Sequence, residues 1–292
     1  MERILYLIIL AITLTLTSVY LSSCQSKIVA EVEQQKITQE ELNQELNKQY
    51  GMEVLQNLIT QRLILLEAKK KNVNVTEQEL NQEMEKIALN LGGMDKLQEQ
   101  IKSKGITIQE YKEKLKLDIL LKKLIISEIS EEEIKVFYEN NKGNLPIVEV
   151  SFIMVPDKTL AESIIKNLKQ GGDFNKLAET YSQDPITKDT KGYVGFLARY
   201  DISKNSPTLK VLEEAIFKNP KKGEVIGPIA VKYNNQNLYY IVKYHNVLKT
   251  YEEVKPKIQD LLAQQRIQEK IENLRKNANI KIMYGPYTES KK

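Results

Sequence analysis

Apolar and polar positions change rhythm several times along the chain. Residues 4–21 are uncharged and largely apolar, long enough for a membrane span. From residue 38 to about 142, apolar side chains recur at helical spacing between charged ones. Val54, Leu55, Leu58, Ile59, Leu63, Leu66 and Ala68 form one stripe. Leu80, Met84, Ile87 and Leu91 form a second, and Ile108, Tyr111, Leu115, Ile119, Leu120 and Leu124 a third. Such stripes predict the core of a small helical assembly. The pairs Thr38/Glu41, Thr76/Glu79, Thr107/Glu110, Ser130/Glu133 and Thr250/Glu253 mark helix starts. In each, the hydroxyl accepts an early helix N–H while the Glu reaches back to the cap.

The rhythm becomes strand-like at residues 143–146, and no proline precedes Pro146. Residues 147–155 predict a strand, 160–168 and 174–181 helices, and 193–197 a short strand. Residues 209–217 predict a helix, followed by strands at 225–229 and 238–244. Helical spacing returns after Thr250 through Val254, Ile258, Leu262, Ile267, Ile271 and Leu274. Residues 278–284 then read as extended, and pairing with 28–32 would close the helical part. The expected fold is α+β: a discontinuous all-helical domain with an α+β domain inserted. The boundaries are 1–23 signal peptide, 24–144 helical domain, 145–249 inserted domain, 250–287 completing helix and strand, and 288–292 tail.

Composition narrows the chemistry. The 292 residues contain one Cys and one His, so an intrachain disulfide, a thiolate cluster and a two-His metal site are excluded. No metal or cofactor is expected. The net charge of +4 is too small for a nucleic-acid-binding face. His245 follows the last predicted strand and is expected at the surface.

Leu21-Ser22-Ser23-Cys24 resembles the lipobox of bacterial lipoproteins, in which cleavage before the Cys leaves a thiol that carries lipid. The resemblance implies lipidation at Cys24; the alternative is an uncleaved anchor with an incidental cysteine. Either reading puts the rest of the chain outside the cytoplasm, on a bacterial membrane.

A series of markers follows in order: Ser151-Phe152-Ile153-Met154-Val155, Gly172-Asp173-Phe174, Tyr181-Ser182-Gln183-Asp184, Lys191-Gly192-Tyr193-Val194-Gly195-Phe196, Glu213-Glu214-Ala215-Ile216-Phe217, Lys222-Gly223-Glu224 and Tyr239-Tyr240-Ile241-Val242-Lys243. Together they resemble a parvulin-type peptidyl-prolyl isomerase domain. The flanks, including Val32–Thr38, Leu58–Leu66 and Ser130–Ile134, resemble extracytoplasmic foldases of the PrsA and SurA kind. The implied function is a membrane-anchored foldase for unfolded or partly folded exported proteins. The alternative is a holdase whose parvulin domain only binds client chains. A homodimer would be one way to cover the helical stripes.

Rotation about an X–Pro bond faces a barrier of about 18–20 kcal/mol from amide resonance. The resemblance implies an apolar ring pocket above a buried polar set of two histidines and an Asp or Cys. Here Phe152 and Tyr240 stand at the histidine positions, and Asp184 remains. These three are the candidate catalytic residues. Val194, Phe196, Ile202, Leu212 and Phe217 are the candidate substrate-binding residues. Tyr240 either replaces a histidine as hydrogen-bond donor or belongs, with Phe152, to a repacked core.

Overall fold

The computed structural model describes residues 27–283 except 235. Cys24 and the signal segment lie outside the described residues. The described residues fall into two compact units that divide between Arg62 and Leu63.

The first unit contains an antiparallel hairpin, β1 (Ile28–Val32) and β2 (Gln35–Thr38), and most of α1 (Gln39–Lys70). Glu33 and Gln34 make the hairpin turn with positive φ. Thr38 and Glu41 form the expected reciprocal cap at 3.2 Å in each direction. The α1 stripe, however, is largely open: Val54, Leu58 and Leu66 are all more than half exposed, and the buried residues of α1 are Ile64 and Ala68.

The second unit begins with helices α2 (Glu77–Leu91), α3 (Met94–Ser103), α4 (Ile108–Ile126) and α5 (Glu131–Asn141). Leu80, Met84, Leu97, Ile101 and Leu115 join α2, α3 and α4 in one core. A second core joins the end of α1 with α4, α5 and α9 (Tyr251–Gln265) through Ile64, Leu124, Ile134, Val254 and Ile258. Residues more than a hundred positions apart in the chain therefore share one helical core. The C-terminal helix predicted as continuous is broken at Arg266, where α10 (Ile267–Lys276) begins. Thr76, Thr107 and Thr250 make full capping boxes. At α5 only half the box forms: Ser130 accepts from Glu133 N, while the Glu133 carboxylate pairs with Arg266 at that break.

Between these helices lies an antiparallel sheet in the order β4-β3-β6-β5, made by β3 (Ile147–Val155), β4 (Tyr193–Leu197), β5 (Val225–Tyr233) and β6 (Gln236–Leu248). Helices α6 (Lys158–Lys169) and α7 (Phe174–Tyr181) follow β3, and α8 (Lys210–Lys218) follows β4. β3 is buried on both faces. Val148, Val150, Phe152 and Met154 pack towards α8, while Ile153 and Val155 pack towards α6 and α7. The architecture is the α+β arrangement expected from the sequence.

Candidate functional site

The site forms on the α8 side of the sheet, where β3 and β6 are paired from Ile147↔Leu248 to Val155↔Tyr239. That register sets Phe152 and Tyr240 two pairs apart on one face. Their rings meet edge to face, 6.1 Å between centroids and 87° between planes. Both are 6% exposed.

Asp184 arrives from the other edge of β3, whose pairing with β4 ends at Ser151↔Tyr193. Beyond that point the segment after α7 takes over the strand's hydrogen bonds. Gln183 N donates to Met154 O at 2.8 Å, Met154 N to Ser182 Oγ at 3.2 Å, and Phe152 N to Gly192 O at 2.7 Å. Asp184 is thereby held buried at the sheet face, with Oδ1 accepting from Ile186 N at 2.9 Å. Burial, reinforced by the Asp184 charge, pushes the Tyr240 phenol up to about 12. Among the described residues the Tyr240 hydroxyl makes no hydrogen bond. It is not sealed from solvent either, because the one sealed and unpartnered side-chain oxygen is Thr187 Oγ1. The phenol is therefore a protonated, unused donor beside a carboxylate.

The structure brings Phe152, Tyr240, Leu212 and Phe217 into one cluster, with Val194 and Ile202 half-buried at its margin. Leu212 and Phe217 are 0% and 3% exposed and form the buried floor of the cluster. Phe196 does not join them. It alternates to the other face of β4, where the Lys257 ammonium of α9 lies 3.7 Å from its ring centroid. Burial holds the Lys257 amine below its ordinary pKa.

His245 departs from the surface position expected of it. The strand continues to Leu248, and His245 Nε2 lies 2.7 Å from the oxygen of Ser151, itself 1% exposed. Beside it, Tyr193 donates to Glu149 Oε1 at 2.8 Å, and the Tyr193 and His245 rings are 5.8 Å apart. These four residues line a cavity of about 210 Å³, together with Gly92 and Gly93 of the α2–α3 turn. Burial and then the Lys243 charge lower the His245 pKa, against a smaller opposing pull from Glu149. An unfolded histidine takes up its proton near pH 6.5, the folded one only at lower pH. His245 thus contributes stability that is full above about pH 6.5 and lost as the pH falls from there through the folded value. Urea midpoints of wild type and His245→Gln should converge between pH 7.5 and 5; a constant difference would refute this.

Sequence reasoning overlooked Ser151 paired with His245, and it treated Glu213 only as part of a marker. The carboxylate of Glu213 is 7% exposed and accepts from the Ile202 and Ser203 amides at 3.1 and 3.4 Å. No sequence signal marked it, since Lys210 stands three residues before it on the same helix, as for an ordinary surface acid.

Two family patterns match the chain: a SurA-like N-terminal domain over residues 1–125 and a PPIC-type peptidyl-prolyl isomerase domain over residues 148–248. The chain is 31% identical over 259 residues to the foldase protein PrsA of Halalkalibacterium halodurans, covering 85% of this chain and 73% of that one. It is 30% identical over 274 residues to PrsA of Geobacillus kaustophilus, covering 90% and 89%. Among solved structures, the peptidylprolyl isomerase PrsA of Bacillus cereus aligns with 27% identity and a TM-score of 0.41, covering 91% of this chain and 98% of the other. No described helix is long and apolar enough to cross a membrane.

Proposed function

Since the chain belongs to the PrsA foldases, extracytoplasmic chaperones carrying a PPIC-type isomerase domain, we propose that its parvulin part catalyses X–Pro isomerisation with Tyr240 and Asp184 in place of histidines. The observation that carries this reading is the unused Tyr240 hydroxyl beside buried Asp184. In a planar amide the nitrogen lone pair is delocalised; on twisting it localises and becomes an acceptor. A phenol that donates to that nitrogen stabilises the twisted form alone, which is the condition for lowering the barrier. The Asp184 carboxylate disfavours the planar form by facing its partly negative carbonyl oxygen. Val194 and Ile202 cover the proline ring, and exclusion of water favours the less polar twisted state.

The test is a protease-coupled isomerisation assay on the full mature chain, with peptides of the form Ala-X-Pro-Phe and X varied. Acceleration supports the reading. A folded chain that accelerates none of the peptides overturns it and leaves the holdase, in which the parvulin part only binds clients.

Residues 24–144 and 250–287 form the chaperone part around the inserted 145–249, a division supported by the core that α4 and α5 share with α9. Cys24 carries the lipid that holds the protein to the membrane. The open apolar residues of α1, Leu42, Leu46, Tyr50 and Val54 among them, suit a second copy of the chain. Mass spectrometry of the detergent-extracted protein checks both: an acylated N-terminus at Cys24 and a doubled mass under native conditions are expected. A mature chain without added lipid, or a native mass of one chain, rejects the corresponding part.

A further inference from the structure

Glu213 is a buried acid that no step above uses. It lies in the first turn of α8, and among the described residues it has no ion pair. Arg199, the cation of the adjoining loop, is committed elsewhere: Nε donates to Leu145 O, Nη2 donates to Phe217 O, and the guanidinium lies over the Phe217 ring. An uncompensated buried carboxylate is costly unless hydrogen bonds replace its water. All the donors that replace it come from two consecutive residues of one loop: the amides of Ile202 and Ser203 and the hydroxyl of Ser203.

That loop, residues 198–206, is tied to the domain at its start, where Arg199 donates to Asn144 O, Leu145 O and Phe217 O. Beyond Arg199, and apart from the bonds to Glu213, its hydrogen bonds are those of its own turns. Ser206 N and Asn205 N both donate to Ile202 O, at 2.9 and 3.2 Å, and Ala198 N donates to Asp201 Oδ2 at 2.7 Å. These bonds shape the loop without fixing it to the domain. Glu213 supplies the attachment at Ile202, the residue at the margin of the ring pocket, and its neighbour Leu212 forms the buried floor. The first turn of α8 thus places the floor and one wall of the pocket with adjacent residues.

We propose that Glu213 is a positioning residue that sets proline-peptide recognition by holding Ile202 against the pocket. The inference rests on the isomerase reading of the same site. A wall displaced by about 1 Å forfeits much of its van der Waals contact with the ring, which weakens binding.

The test is a double-mutant cycle on the full mature chain, Glu213→Ala and Ile202→Ala singly and together, read as KM and kcat with Ala-X-Pro-Phe peptides. Glu213→Ala should raise KM about tenfold with a smaller change in kcat, as loss of binding contacts does. The double variant should be no worse than Ile202→Ala, because the carboxylate acts through that side chain. Glu213→Gln keeps the Oε1 acceptor for both amides and should recover most of the loss. Additive effects in the double variant, or a folded Glu213→Ala with unchanged KM, overturn the proposal. An inactive wild type would reject the isomerase reading instead. Amide exchange then decides the positioning: Ile202 and Ser203 should lose protection in Glu213→Ala but not in Glu213→Gln, and unchanged protection overturns it.

Discussion

Asp184→Ala should lower proline-dependent acceleration by about tenfold to a hundredfold while leaving the chain folded and able to suppress client aggregation. A hydrogen bond or close contact involving a charged group is worth about 1.5–3 kcal/mol, and about 1.4 kcal/mol of barrier is tenfold in rate. Asp184 has only local structural duties, an amide of its own turn on Oδ1 and the Lys188 amide on its carbonyl, so its side chain can be removed at modest structural cost. Tyr240→Phe should produce a loss of the same order, since it keeps the edge-to-face contact with Phe152 and removes only the donor. With the phenol pKa near 12, neither the wild-type activity nor its dependence on Tyr240 should fall off across neutral pH. A wild type that accelerates isomerisation and an Asp184→Ala variant of equal activity would remove the carboxylate from the mechanism. Loss of aggregation suppression together with catalysis would show that both depend on the same groups.

The second large effect is structural, at Gly192. Its φ is +87°, its N–H donates to Thr187 O at 2.7 Å, and its carbonyl accepts from Phe152 N at 2.7 Å. A Cβ there would lie 2.4 Å from Phe152 O and 3.1 Å from the Ala178 side chain. Gly192→Ala must therefore push the 182–192 segment off β3, the segment that delivers Asp184. The left-handed backbone alone costs roughly 1–2 kcal/mol for a residue with a side chain. With the clash, a loss of about 3 kcal/mol or more is expected, and a fall in Tm of about 10 °C. Gly105→Ala is the control: its φ is +68° and nothing lies within 4 Å of the added Cβ, so only the backbone cost applies. The chain has no Trp, so far-UV circular dichroism is the suitable probe. Equal Tm values for the two variants would contradict the close approach at Gly192.

Local chemistry was legible along the chain wherever the partners lie within about four residues. The hydroxyl and carboxylate of Thr76/Glu79, Thr107/Glu110 and Thr250/Glu253 find each other without help from the fold. The period-2 run of residues 147–155 and the helix at 174–181 matched the structure at both ends, because alternation and caps are properties of contiguous residues. The apolar floor and the Asp184–Tyr240 neighbourhood were also reachable, through ordered markers that specify a known topology. The α1 stripe was misleading, since helical spacing says that one face is apolar and not whether anything covers it.

What remained belongs to partners far apart in the chain. Glu133 has the spacing of a capping residue, yet Arg266, 133 positions later, takes its carboxylate once α9 ends beside α5. His245 has the sequence context of a strand end, yet the strand runs on through three more paired residues, and the register shift at His245 brings it to Ser151, across 94 positions. Phe196 and Leu197 are adjacent, and strand alternation sends one beneath Lys257 and the other to the pocket cluster. Glu213 looks like any helical surface acid until a loop folds two amides onto it. Thus the sequence alone determined the elements, their caps and the residue types available for chemistry, because those follow from neighbours along the chain. Only the tertiary structure decided which carboxylate caps a helix, which accepts from a loop and which lies buried near Tyr240, because burial and register assign partners that spacing does not encode.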